Sequence, residues 1–168
     1  MPPAKPKIDI PVSGTETWLH RLAIATIGLS ILLIALYYGQ LPDRIPIHFD
    51  INGNPDSWSK KVMLWFLPIM LGATVGMLHL VSKMSPDNFN YPVKITAENA
   101  AYYYRKTRLG LALMNLVIGL MALFITWKMI TIALGNSDSF SAWFIPGLLL
   151  AIALPIVIMV YPPYPKAK

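Results

Sequence analysis

Long apolar runs alternate with polar segments along this chain. The apolar runs cover residues 18–38, 62–81, 109–134 and 142–161, each close to or above the ~20 residues a helix needs to cross a bilayer. Backbone groups find no water in hydrocarbon, so these runs are predicted to be helices. None shows the alternation of apolar and polar residues that marks a transmembrane barrel strand. The fold class predicted is an all-α integral membrane protein with four transmembrane helices. A single membrane domain spans 18–161, with an outer loop at 39–61 and a cytoplasmic link at 82–108. Tails occupy 1–17 and 162–168, the first expected to be mobile. The first run is longer than a signal-peptide core and lacks a small-x-small cleavage pattern, so it is expected to remain as a signal anchor.

Within the runs, local signals refine the picture. Ser13, Thr15 and Thr17 offer N-caps to the first helix, with Glu16 near its positive end. Trp18 and the Tyr37-Tyr38 pair mark its two interfaces. Gly72-Ala-Thr-Val-Gly76 in the second run is a G-x-x-x-G helix-packing motif. In the link, Ser85-Pro-Asp-Asn reads as a turn. A short helix opened near Thr96 and Glu98 would lay Tyr102, Tyr103, Tyr104, Arg105, Lys106 and Arg108 on the membrane surface. Asn115 in the third run is expected to hydrogen-bond inside the bundle, and Lys128 to snorkel toward an interface. Pro146 falls in the first turn of the fourth helix, and Pro155 predicts a kink.

Composition agrees with that pattern: 55% of residues are hydrophobic and 13% charged, against roughly 25% charged in soluble domains. There is no cysteine, which removes disulfides, thiolate metal sites and cysteine nucleophiles. Charge then fixes an orientation. Lys5, Lys7, Arg21, Lys83, Lys94, Arg105, Lys106, Arg108, Lys166 and Lys168 lie on one side; Arg44, Lys60, Lys61 and Lys128 lie on the other. The positive-inside rule places both termini and the link in the cytoplasm. No basic-aromatic domain is present to bind nucleic acid, so membrane lipid is the partner this charge implies.

The outer loop is unusually dense in polar chemistry. Alternation over Ile45, Ile47, Phe49 and Ile51 predicts a strand with one greasy face, leaving Pro46, His48 and Asp50 on the other. Asn52-Gly53 suits a two-residue type I′ turn. Together they predict a β-hairpin-like cap outside the membrane, with Trp58 at the interface. Asp50, Asn52, Asn54 and Asp56 resemble a calcium loop, but Gly53 comes two positions too early and Lys61 replaces the bidentate acid. His48 and Asp50, joined by Asp43 or Asp56, form a second grouping that suits a metal or a general base. A histidine bonding its own loop is the simpler reading. His20 and His79 fall at equal depth on the first two helices, the placement of a haem ligand pair or of two interfacial polar residues. The expectation is no resident metal and no cofactor.

Leu41-Pro-Asp-Arg-Ile-Pro-Ile-His-Phe-Asp-Ile-Asn-Gly-Asn-Pro-Asp-Ser-Trp58 resembles the signature of the bacterial domain of unknown function 1648. That pattern runs L-P-D-x-I-P-x-H-[FW]-[ND]-x-x-G-x-[PA]-[DN]-x-[WY], followed by a lysine. Pro42, Asp43, Ile45, Pro46, His48, Phe49, Asp50, Gly53, Asp56, Trp58 and Lys60 all fit it. The segment Phe89-Asn-Tyr-Pro-Val-Lys-Ile-Thr-Ala-Glu-Asn99 is similar to one found in Bacteroidetes members. The resemblance implies one helix before the loop and one after. The domain also occurs at the front of SdpI-like immunity proteins, whose additional helices this chain is expected to lack.

Taken together, these features predict a non-enzymatic multi-pass protein of the bacterial inner membrane. Its outer loop is expected, in a sensing or immunity-like role, to bind a periplasmic peptide, an envelope protein or an outer-leaflet lipid through Pro42, Asp43, Pro46, His48, Phe49, Asp50, Asn52, Gly53, Asp56 and Trp58. The second expectation is a small accessory subunit of a larger membrane complex, or a homo-oligomer, packing through Gly72 and Gly76.

Overall fold

The computed structural model describes residues 5–161 and 163–164. Helix α1 (Gly14–Tyr37) is followed by a hairpin of β1 (Arg44–Phe49) and β2 (Pro55–Lys60). A 3₁₀ turn (Lys61–Trp65) leads into α2 (Phe66–Ser82); α3 (Ala100–Ala133) and α4 (Phe144–Val160) complete the chain. Among the described residues, three stretches are long and apolar enough to cross a membrane: Gly14–Tyr37, Lys61–Ser82 and Ala100–Ala133. The fourth helix is apolar but has only 17 residues, about 26 Å at 1.5 Å per residue.

Ser13 caps α1 as its pattern predicts. Its hydroxyl accepts from Glu16 N (3.1 Å) and donates to Glu16 Oε1 (3.1 Å), satisfying an end amide that the helix itself cannot pair. Helix α3 departs from expectation. It starts at Ala100 rather than near Leu109 and runs unbroken for 34 residues, about 51 Å, well beyond the ~30 Å hydrocarbon. Its N-terminal turns are therefore the helix expected to lie on the membrane surface. Tyr104 and Arg108 are buried there because the N-terminal tail covers them, and Tyr103 is buried beside Tyr164.

That tail does not stand off the bundle. Lys5 Nζ donates to the Asp87 (3.1 Å) and Phe89 (2.5 Å) carbonyls. Tyr104 Oη donates to Pro6 O (2.9 Å), and Arg108 Nη1 to Ile10 O (2.6 Å). Ile10, Ala100 and Tyr104 form a small core with Ile8, Tyr91 and Ile95 around it. Residues 5–12 are thereby strapped across the start of α3. Residues 1–4, and most of the tail expected at 162–168, lie outside the described residues.

Helices α1 and α3 form the closest crossing. A Cβ on Gly119 would sit 2.8 Å from Ala23 O and 3.1 Å from Ala23 Cα, so only glycine lets the two backbones meet here. Gly110 plays the same part against Met159 and the Pro155 carbonyl on α4. The G-x-x-x-G motif on α2 is half used. Gly72 faces Ile27 Cγ2 of α1 at 3.1 Å, whereas Gly76 has nothing within 4 Å. Ala23, Ile27, Val75 and Ala122 fill the centre of the bundle.

Candidate functional site

The two ends of the bundle carry the polar chemistry. At one end the hairpin is seated by Leu41 and Ile45, which join Ile34, Leu64, Met129 and Ile130 in a buried cluster. The strands pair antiparallel, with Arg44 opposite Lys60 and Pro46 opposite Trp58. The register shifts between Pro46 and His48, which makes Ile47 a bulge. One extra residue in a strand reverses the faces that follow it. Ile45 and Pro46 are both buried, Ile47 and His48 both point outward, and Phe49 turns back in. The uniform greasy face expected for Ile45, Ile47, Phe49 and Ile51 is thus broken; Ile51, at the tip, is 81% exposed.

The turn also differs from the two-residue form. Asp50 N donates to Asn54 O (2.9 Å) and Gly53 N to Asp50 O (2.9 Å), closing a three-residue loop. Gly53 alone has positive φ, +85°, in the hairpin, whereas a type I′ turn needs it at Asn52 as well. Gly53 also seats the hairpin on the α3–α4 connection. Its carbonyl accepts from Phe140 N (2.8 Å), and Phe49 meets the Phe140 ring edge-on at 4.6 Å.

The loop's acids do not converge on one point. Asp50 accepts from Asn52 N (2.9 Å) and Asn54 N (2.8 Å), and the Asn54 bond in particular holds its carboxyl below the ordinary carboxylate range. His48 Nδ1 pairs across the hairpin with Asp56 Oδ1 at 2.6 Å instead of facing Asp50. Asp43 lies 3.9 Å from Lys61 Nζ, which also donates to Leu41 O (3.1 Å). No group of three metal-ligating side chains forms among the described residues. Pro42, Asn52 and Trp58 are exposed. Nearby, Lys128 Nζ reaches Ser137 Oγ at 2.6 Å and lies over the Trp127 and Phe140 rings, as expected of a snorkelling lysine.

The opposite end holds a cavity of about 800 Å³ between the tail, α1, α2 and the start of α3. Arg108 Nη2 pairs with Glu16 Oε2 at 3.1 Å, with the side chains only 10% and 8% exposed. Beside them, the His20 and His79 rings stand edge to face at 4.7 Å. Asn115 Nδ2 lies 2.9 Å from His20 Nδ1. His79 Nδ1, Arg108 Nε and Asn115 Oδ1 are buried without a partner among the described residues, an expensive state unless something else satisfies them. Just outside, burial pushes the Tyr91 phenol up to about 12, and its hydroxyl donates to Pro86 O (2.9 Å).

Sequence reading paired His20 with His79 and foresaw a bonded Asn115, but Glu16 with Arg108 escaped it. They are 92 positions apart and each looked like a terminal or interfacial charge. The one available signal was an acid and a base next to apolar helices, which is too common to select them.

Residues 25–72, from within α1 to within α2, match the family model described as a domain of unknown function (DUF1648). This is the family the loop resembles, and the match takes in the whole hairpin. An uncharacterized protein of the archaeon Archaeoglobus fulgidus is 26% identical over 121 residues, covering 64% of this chain and 66% of that protein. The aligned region thus spans just under two thirds of that relative. No solved structure matches the chain.

Proposed function

We propose that this membrane chain, carrying the DUF1648 match at residues 25–72, is a non-enzymatic binding protein of the inner membrane. In this reading all four helices span, and both termini face the cytoplasm. The hairpin then meets a peptide or protein outside the membrane. The observation that carries the reading is the division of labour within the hairpin. Ile45, Pro46, Phe49 and Gly53 anchor it, while Ile47, His48, Ile51 and Trp58 face outward from a braced frame. A rigid surface with exposed aromatic and aliphatic groups binds with little ordering cost, and such groups dominate binding energy at interfaces.

The test is the outward face alone. Ile51→Ser with Trp58→Ser should leave abundance and thermal stability unchanged while abolishing site-specific photocrosslinks from position 47 to a partner in intact cells. Crosslinks that persist in the double variant remove the hairpin from recognition.

The second reading, an accessory subunit, draws support from Gly76. It opens onto no neighbour within 4 Å, beside the exposed Met77 and Leu80. Gly76→Leu should then disrupt assembly with a larger complex on a native gel and leave the isolated chain folded.

A further inference from the structure

We propose that the cavity at the tail-and-link end is a binding site for an organic phosphate. It is separate from the hairpin surface and does not depend on it. Three elements bring cations to one space: Lys7 from the tail, Arg21 from α1 and Lys83 at the end of α2, with Arg108 on the wall. Against them stand Asp9 and Glu16. Both Glu16 oxygens are already engaged, by Ser13 and by Arg108. Lys7, Arg21 and Lys83 have no carboxylate within ion-pair distance among the described residues. The cavity therefore holds a surplus of positive charge.

Two of the unpaired atoms at this end point the same way; the third, Asn115 Oδ1, is an acceptor on a residue that does not line the cavity. Arg108 Nε, buried and unpaired, can only donate. His79 Nδ1, equally unpaired, donates in one tautomer and in the protonated ring. The occupant that answers these groups is rich in acceptors and negatively charged. A phosphate offers oxygens on several sides at once and suits ammonium groups arriving from different elements. The volume, about 800 Å³, lies in the range of organic-ligand pockets and is too large for a bare ion. Ile8, Val12, Ile24 and Met84 line the remainder and suit a glycerol or acyl portion.

This chemistry has two sources, a phospholipid headgroup from the surrounding leaflet or a soluble phosphate ester. Basic pockets between helices near the membrane surface commonly hold anionic lipid headgroups. The experiment uses the purified full chain in dodecyl maltoside, titrated separately with phosphatidylglycerol in mixed micelles and with soluble glycerol 3-phosphate. Native mass spectrometry and calorimetry report binding. Lys7→Ala and Lys83→Ala alter exposed side chains and should leave thermal unfolding unchanged. Each should weaken binding about fivefold, and the pair about 25-fold, at roughly 1 kcal/mol per lysine. Lys60→Ala, which removes the same charge at the hairpin end, should have no effect. Saturable binding of the lipid alone identifies a headgroup site; saturable binding of glycerol 3-phosphate identifies a soluble ligand. The proposal is overturned if neither saturates, or if binding ignores Lys7 and Lys83. It is equally overturned if Lys60→Ala weakens binding as much, since that reports only net charge.

Discussion

The hairpin end and the tail-and-link end of this bundle solve opposite problems with similar residues. Each has acids, bases, a histidine and aromatic rings. At the hairpin end the polar groups that pair do so within the same twenty-odd residues, as with His48 and Asp56 or Asp50 and the turn amides. Those bonds are solvent-exposed, so each stabilises only modestly. At the other end the partners come from distant parts of the chain, the Glu16–Arg108 pair is buried, and several atoms remain unpaired. A self-satisfied surface is a rigid platform. The buried end keeps hydrogen-bonding atoms unmet.

Breaking the buried pair should give the largest effect. Arg108→Met leaves the buried Glu16 carboxylate without its ion-pair partner and also releases the Ile10 carbonyl. Removing one partner of a buried pair costs about 3–5 kcal/mol, measured as loss of thermal stability in detergent. Glu16→Leu combined with Arg108→Met should recover much of that loss, because no lone charge remains buried. A double-variant loss equal to the sum of the two single-variant losses would show that the pair is not coupled.

Next in size is Gly53→Ala at the hairpin end. The added methyl would lie 2.6 Å from the Phe140 carbonyl, at a backbone φ of +85°. The left-handed conformation alone costs about 1–2 kcal/mol, and the clash adds to it. Hydrogen exchange should accelerate at residues 50–54 and at Phe140, with α1–α3 protection unchanged. Uniform loss of protection would mean the two ends are not independent.

The smallest effect concerns pH. The Asp50 carboxyl is held below its usual 3.8 by the turn amides. A depressed folded value means that its contribution is fully present above the unfolded value and is lost as pH falls through the folded one. Exchange at Asn52 and Asn54 should therefore stay slow through neutral and mildly acidic pH and rise only below the ordinary carboxylate range. Asp50→Asn should remove that pH dependence. A pH dependence that survives Asp50→Asn would remove Asp50 as its source.

Much of the hairpin was legible because its determinants are local. Gly53, the alternating Ile and Phe positions, and the polar residues of the turn all lie within a few positions of their partners. The bulge at Ile47 was not legible, because it sits beside Ile45, whose seat in the bundle-end cluster is made across space. The turn type followed from the same docking, through Gly53 and Phe140. Among helix contacts, the visible G-x-x-x-G motif pointed to Gly72 and Gly76, yet the tightest crossings use Gly119 and Gly110. A lone glycine in an apolar run carries no sign of which helix it will face.

Sequence by itself determined the membrane class, the apolar helices, the hairpin between the first two and the resemblance to its domain family. These follow from hydropathy, turn chemistry and short-range spacing, which act along the chain. Only the tertiary structure decided the length of α3, the strapping of residues 5–12 across it, and the meeting of Glu16, His20, His79, Arg108 and Asn115. Those depend on which helix faces pack together, and a polar residue's partner in a bundle lies across space, where sequence separation gives no guide.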